Sequence, residues 1–517
     1  MLRDQNNQLS IYSILYNKIP ENHTLKLLDN AIDFGFITKS LEQSYNKFYG
    51  RPAKHPELML KLLILQYLYN LSDERVIEEA SLNLAYMWFL GINPDETLPD
   101  PSLLSKFRVH RLQEVTLDEI IVEIVKQCVE KGIIKDTGIS IDATHTKANT
   151  FKATPERVIK RLAKKIFKTY EKEVGLLPEE INQSIPDYKE ISDNKEAKRV
   201  MKDYLESEMN KIESAIILKE CPKTKKVLEN AKQILEDPKF IEQRGARSIV
   251  DQDARVGHKS RTDHFFGYKD EYIITTENRI ITAITVADGA YVDGTRFNEL
   301  IELTKKTGLE IKEVYGDKAY FKKPILDKIN EIDSIPYIPV SEMAYKIDEE
   351  RFGYNKDSDE WFCNQGNKTA RKKHRNDKSG KQTYKYYFEK SICKNCTQRQ
   401  ECIKSSSKVA RILEVGINTP EFYGYSQQQK TKEFHKKYKK RACQEWKNGE
   451  MKNFHGLDRA RGYGLGSMSK QAKLTAIAVN LKRIAAILSS KLLTKFNFPL
   501  TIFDIFTKRV KFDLILV

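Results

Sequence analysis

Three acids and a knot of cations are the residues in this chain best placed to do chemistry. In Tyr438-Lys-Lys-Arg441-Ala-Cys-Gln-Glu445-Trp-Lys-Asn-Gly-Glu-Met-Lys452, the carboxylate of Glu445 stands among basic residues. Steps of three and four put Tyr438, Arg441 and Glu445 on one helical face. A carboxylate between cations suits a metal ligand beside a phosphate. Two acids far upstream would complete such a site. Asp142 ends the apolar run Gly138-Ile-Ser-Ile-Asp142, and Asp317 ends Ile311-Lys-Glu-Val-Tyr-Gly-Asp317. Phosphodiester cleavage near neutral pH needs a deprotonated water and a leaving oxygen without bare charge; two divalent ions about 3.5–4 Å apart meet both needs. Magnesium is hard, prefers oxygen and is held by few carboxylates. Each acid also has a plainer reading. An Asp at a strand end serves as a turn or cap residue, and Glu445 as a solvated helix acid, as Glu450 reads. Spacing alone leaves both readings open.

The elements that must position these acids are readable in outline. Strand-like runs fall at 138–142, 270–275, 279–287, 312–317 and 336–340, with Asn278 as a hairpin turn. Helical patterns at 295–306 and 322–332 separate the later runs, so a mixed α/β sheet is expected. Asp142 and Asp317 would then sit where side chains gather at a sheet's functional edge, with Glu445 reaching in from a packed helix. Residues 1–130 read as all-helical. The run from Pro56 is apolar on more than one face, Ser72 caps a helix around Val76 to Ala80, and Asp100-Pro101-Ser102 opens another. These short helices suit either a helix-turn-helix-like DNA module or a plain supporting bundle. The stripe Leu474, Ile477, Ala478, Leu481, Ile484, Ala485, Leu488 marks a core helix near the C-terminus.

Two insertions interrupt the sheet. Residues 152–245 are rich in Lys and Glu, and Val158, Leu162, Ile166 and Tyr170 form one i, i+4 row, which predicts a helical hairpin or coiled coil. Residues 341–430 are basic: from Lys368 to Arg411 there are 14 Lys/Arg against three Asp/Glu, an imbalance that favours a phosphate-facing surface. Four of the chain's seven cysteines lie there, Cys363, Cys393, Cys396 and Cys402. Cys393-x2-Cys396 forms one zinc-knuckle half, and four thiolates suffice for a structural zinc site; ordinary thiols without metal are the alternative. Cys443 reads as a packing residue, and Cys128 and Cys221 as isolated thiols.

Composition narrows the class. At 517 residues two or three domains are expected, and a formal charge of +16 with a pI near 9.1 favours an anionic partner, nucleic acid first. No membrane span or signal core is present in the sequence, and the cysteines are too sparse for a disulfide framework, so the chain reads as cytoplasmic and nucleoid-associated.

The run Tyr438-x2-Arg441-x3-Glu445-x6-Lys452 resembles the signature of bacterial insertion-sequence transposases of the DDE type. So do its flanks, Gly449 to Arg461 and Ala476 to Arg483. Ser140-Ile-Asp142-Ala-Thr-His-Thr-Lys-Ala-Asn149 is similar to the family's first-Asp segment, and Tyr315-Gly316-Asp317-Lys-Ala-Tyr320 to its second. Asp251-Gln-Asp253-Ala-Arg255 and Phe266-Gly267-Tyr268-Lys269 resemble its second-strand entry, and Gly50-Arg51-Pro52 to Lys61 its N-terminal domain. The resemblance implies a ribonuclease H-like mixed-sheet catalytic core over 131–490, a helical N-terminal domain over 1–130 and a tail over 491–517. It implies Asp142, Asp317 and Glu445 as ligands of magnesium or manganese, with Tyr438, Arg441 and Lys452 on DNA. Asp288 and Asp293 are rival second acids. They follow the third strand, and Asp293 before Gly294-Thr295 reads as a helix cap. The implied activity is cleavage at terminal inverted repeats and strand transfer to target DNA, in a dimer or larger synaptic complex. A metal-dependent nuclease and a decayed, DNA-binding derivative are the alternatives.

Overall fold

The computed structural model describes residues 11–46, 52–216, 221–237, 240, 246–260, 262–376, 380, 382–403 and 410–495; of the expected tail, the part beyond Lys495 lies outside the described residues. The central sheet contains β1 (Gly138–Lys147), β2 (Arg255–His258), β3 (His264–Thr275), β4 (Ile281–Asp288), β5 (Glu313–Tyr315) and β6 (Ile335–Tyr337). β3 pairs antiparallel with β1 on one side and with β2 and then β4 on the other. On the far side of β1, β5 and β6 follow in parallel. Three antiparallel strands continued by two parallel to the first make a ribonuclease H-like sheet.

Side chains alternate across this sheet with period two. Ile139, Ile141, Ile273 and Ala283 face a core closed by the helices Phe297–Lys306 and Lys323–Glu331. Tyr272, Ile274, Ile284 and Val286 face a second core on the opposite side. There the long helix Leu465–Lys495 lies against β4 and against helices Thr24–Ala31, Pro56–Leu68 and Glu114–Glu130. The N-terminal helices thus share one core with the sheet. Asn480, buried on the long helix, accepts from the Ile281 N–H and donates to the Ile281 carbonyl, both at 2.7 Å. It fills the place of a neighbouring strand on β4, whose outer edge would otherwise present unpaired groups. Ser72 caps helix Asp73–Leu82 as expected, accepting from Arg75 N–H at 3.1 Å.

Both insertions have their own cores. Among its described residues the first holds the helices Pro155–Val174, Asn194–Ile216 and Pro222–Glu236, more than the expected hairpin. The row Val158, Leu162, Ile166, Tyr170 is buried in it. Its two ends meet: Ala153 N–H donates to Arg247 O at 2.9 Å and Arg247 N–H to Ala153 O at 2.8 Å. The second is a β-lobe, with a hairpin of β7 (Phe352–Asn355) and β8 (Glu360–Cys363) and a sheet of β9 (Thr369–Asn376), β10 (Gln382–Phe388) and β11 (Ile412–Gly416). Trp361, Tyr386, Phe388, Leu413 and Val415 are buried between them. Among the described residues no helix is long and apolar enough to cross a membrane.

Candidate active site

β1 does not end at Asp142, as the apolar run suggested. It continues to Lys147, because Ala143 to Lys147 pair with Glu271 to Gly267 of β3. What ends near Asp142 is the pairing on the other side. β5 pairs with β1 only through Gly138–Glu313, Ile139–Val314 and Ser140–Tyr315. Continued two residues past the last pair, this register sets Asp142 against Asp317. The glycine between Tyr315 and Asp317 permits the approach: a Cβ on Gly316 would meet the Tyr320 Cβ at 3.2 Å and the Ile141 Cγ2 at 3.5 Å. Asp317 spends one oxygen as a cap, accepting from Ala319 N–H at 2.8 Å. The cap role uses only one oxygen, so it does not exclude the site role expected of Asp317.

The Asp142 carboxyl is pushed up to about 6, by burial first and by the negative charge of Asp317, against the pull of Arg441. Arg441 Nη2 lies 3.6 Å from Asp142 Oδ2, and the buried Arg441 Nε has no hydrogen-bond partner. Burial also raises the Tyr438 phenol, which feels the charges of Arg441, Asp317 and Asp142 and stacks on Phe434 with ring centres 5.7 Å apart. Asp142, Asp317, Tyr438 and Arg441 are thus brought together.

The segment that carries Arg441 and Glu445 is helical in three pieces. Helix Lys432–Tyr438 passes through a tighter 3-10 turn, Lys439–Ala442, into helix Cys443–His455. Lys437 and Lys440 hold it to β5 by ion pairs with Glu313. The last helix is fastened along β1 and β3: Gln444 Nε2 donates to Ser140 O at 2.7 Å, and Asn448 Oδ1 accepts from Tyr272 OH at 2.6 Å. Lys452 Nζ stands 3.4 Å from His145 Nδ1. Beyond the helix, Leu457 O accepts from Thr146 Oγ1 at 2.7 Å. Glu445 sits one turn past Arg441 on this fastened helix, and its side chain is exposed. Among the described residues no three His, Cys, Asp or Glu side chains stand at metal-coordinating separations.

Several residues take roles in the structure that differ from those the sequence suggested. Asp293 is not a helix cap: the helix begins at Phe297, and Asp293 accepts from Lys269 Nζ at 2.8 Å and adds to the negative charge felt by Asp142. Asp288 is a turn residue, accepting from Ala290 N–H at 2.8 Å. Glu271, buried in β3, accepts from Tyr291 OH at 2.6 Å and Tyr320 OH at 2.9 Å. Asp253 caps the long helix, accepting from Leu465 N–H at 2.7 Å. Glu450 is no solvated acid; it pairs at 2.7 Å with buried Lys447. Tyr320, Lys269 and Asp253 all fall inside the family-like segments, and that was the signal available for them.

In the β-lobe, Cys363, Cys393, Cys396 and Cys402 line one cavity of about 30 Å³. All four are free thiols, and Asn367 Nδ2 donates to Cys393 Sγ at 3.2 Å. Burial pushes the Cys402 thiol up, with the other three cysteines adding to it. Cys443 and Cys128 are buried, with thiols pushed up to about 11 and about 12, as packing residues should be.

Two family models match this chain. One, "Transposase domain (DUF772)", covers residues 13–110; the other, "Transposase DDE domain", covers residues 362–485 and so takes in Tyr438, Arg441, Glu445 and Lys452. Both matched families are transposases, so the chain carries a transposase domain and a DDE transposase domain. No curated protein matches the transposase. A solved structure to which it is similar is the cryo-EM structure of the piggyBac transposase synaptic complex with hairpin DNA, at 9% identity over 92% of this chain and 81% of that one, with a TM-score of 0.26. The DDE domain makes the transposase a nuclease and strand-transfer enzyme that depends on divalent metal.

Proposed function

We propose that the transposase cuts DNA at the terminal inverted repeats of its element and joins the freed 3′ hydroxyl to target DNA. Asp142, Asp317 and Glu445 would hold magnesium or manganese. The observation that carries this is the register of β1 and β5, which sets Asp142 against Asp317 at the end of their pairing. The donor set suits a hard cation: oxygen ligands only, with Arg441 3.6 Å from Asp142 to offset like charge. When bound, such ions activate the attacking water or hydroxyl and stabilise the leaving oxygen. Arg441, with a buried Nε free to donate, is suited to a non-bridging phosphate oxygen. Tyr438 and Lys452 flank it on the same DNA path. Hydrolysis and strand transfer then differ only in the nucleophile. Two ends must be held at once, so a homodimer or larger synaptic complex on the nucleoid is the working form. In this reading, 1–130 binds DNA and 131–490 catalyses.

The four thiols around the β-lobe cavity would hold a structural zinc ion. Metal analysis of the purified chain checks this: about one zinc per chain is expected, lost in Cys393→Ser together with Cys396→Ser.

Labelled element ends and a target plasmid test the main reading. The wild type should give joined product. Asp142→Asn and Glu445→Gln should each abolish cleavage and spare end binding. Cleavage without joining would make the protein a nuclease, and unchanged cleavage in either variant would remove that residue from the site.

A further inference from the structure

The helix Ser102–His110 has a shape that its place in the N-terminal bundle does not require. Asp100 Oδ1 starts it, accepting from Ser102 N–H at 2.9 Å. Leu104 and Phe107 anchor it in the core, being 0% and 5% exposed. The opposite side is a single exposed stripe of Ser102, Ser105, Lys106, Val109 and His110, at steps of three, one, three and one. Val109, an aliphatic residue, is 60% exposed in the middle of it. The helix is also a ridge between two open grooves. One, about 700 Å³, is lined by its Arg108 together with Arg461 and Lys470. The other, about 900 Å³, is lined by its Lys106 with Lys54 and Arg111. Each groove sets three cations against one acid. Asp73 in the first is already paired to Arg108, and Asp100 in the second is the helix cap.

We propose that this helix enters the major groove of the DNA bound by the transposase, and that Ser105, Lys106 and Val109 read its base edges. The proposal rests on the reading that element ends are the bound DNA. A nine-residue helix is about 13 Å long and roughly 10–12 Å across with side chains, and a B-form major groove is about 12 Å wide and about 8.5 Å deep. A ridge seated there puts the two sugar–phosphate backbones into the basic grooves on either side. That arrangement separates the jobs. Lys54 and Arg111 on one side, and Arg461 and Lys470 on the other, neutralise phosphates whatever the sequence, while Lys106 on the crest reaches the bases. The stripe offers an ammonium for guanine acceptors, a hydroxyl for either kind of edge group, and an apolar patch for a thymine methyl. An apolar protein partner is disfavoured by the charge on both walls.

The test is anisotropy binding of the full chain, without divalent metal, to two duplexes. One is taken from the ends of the DNA segment carrying the gene, and the other is its shuffled counterpart. Lys106→Ala and Val109→Ser should each cut the preference for the end duplex by about tenfold, while affinity for the shuffled duplex, which also reports folding, is kept. Lys54→Ala should weaken both duplexes alike and lower the salt slope by about one. If the wild type prefers the end duplex and both ridge variants keep that preference, the helix is not the reader, and the proposed function stands. If the wild type shows no preference, both the ridge assignment and end recognition by this chain are overturned.

Discussion

Replacing Asp270 by Asn should stabilise the transposase at pH 8 and leave it unchanged near pH 4. Asp270 lies in β3 with none of its surface exposed. Its Oδ2 accepts from Thr146 Oγ1 at 2.6 Å, and its Oδ1 has no partner. Burial pushes the carboxyl up to about 7, against the hydrogen bond from Thr146 and the charge of Lys452. In an unfolded chain an Asp titrates near pH ~3.9. A carboxyl whose folded value lies above its unfolded one keeps its proton longer in the native state, so its contribution to stability falls as pH rises through the window, here from about 4 to about 7. Three units at about 1.4 kcal/mol each give about 4 kcal/mol as a ceiling, which relaxation and water entry lower. The amide has no proton to lose, and it can donate to Thr146 Oγ1 while that hydroxyl donates to Leu457 O. Urea unfolding of both proteins between pH 4 and pH 8 measures the difference. It should grow with pH to about 1–4 kcal/mol in favour of the variant. Parallel curves would refute the buried-acid argument. A variant weakened most at pH 8 would show that attraction to Lys452 outweighs the burial cost.

Two substitutions probe how the sheet is built. A Cβ on Gly267 would meet Thr146 O at 2.0 Å and Ala148 N at 2.7 Å, both backbone atoms with no room to yield. Gly267→Ala should therefore cost about 3 kcal/mol or more, read as a drop in urea midpoint or in soluble yield. Asn480→Ala strands the buried N–H and C=O of Ile281 and should cost about 2–4 kcal/mol; a loss under about 0.5 kcal/mol would mean that water replaces the side chain at that edge.

Patterns local in sequence were legible. The helix from Pro56, the cap at Ser72, the buried row from Val158 to Tyr170 and the long C-terminal helix all follow from spacing and capping chemistry. What depended on partners distant along the chain was not. The apolar run stopped at Asp142, but pairing with β3 carries the strand on through Thr144 and Thr146. Asp293 had the spacing of a cap and instead met Lys269, twenty-four residues before it. Glu450 looked solvated because the sequence could not reveal that Lys447 is buried beside it. The three acids were singled out by the family-like text around them. The offset that opposes Asp142 to Asp317 is a property of β1–β5 pairing, which no single segment encodes.

The clasp between Ala153 and Arg247 makes the helical insertion topologically optional. The chain leaves and returns through a short antiparallel bridge, and the intervening described residues build a separate core that an ion pair from Asp237 to Arg255 ties to β2. A unit attached in this way can be lengthened, exchanged or removed at its neck without disturbing strand order or the register that opposes the first two acids. Natural variation in such transposases can therefore be expected to concentrate beyond that neck, so that the chain evolves by swapping an attachment while the sheet beneath it stays the same.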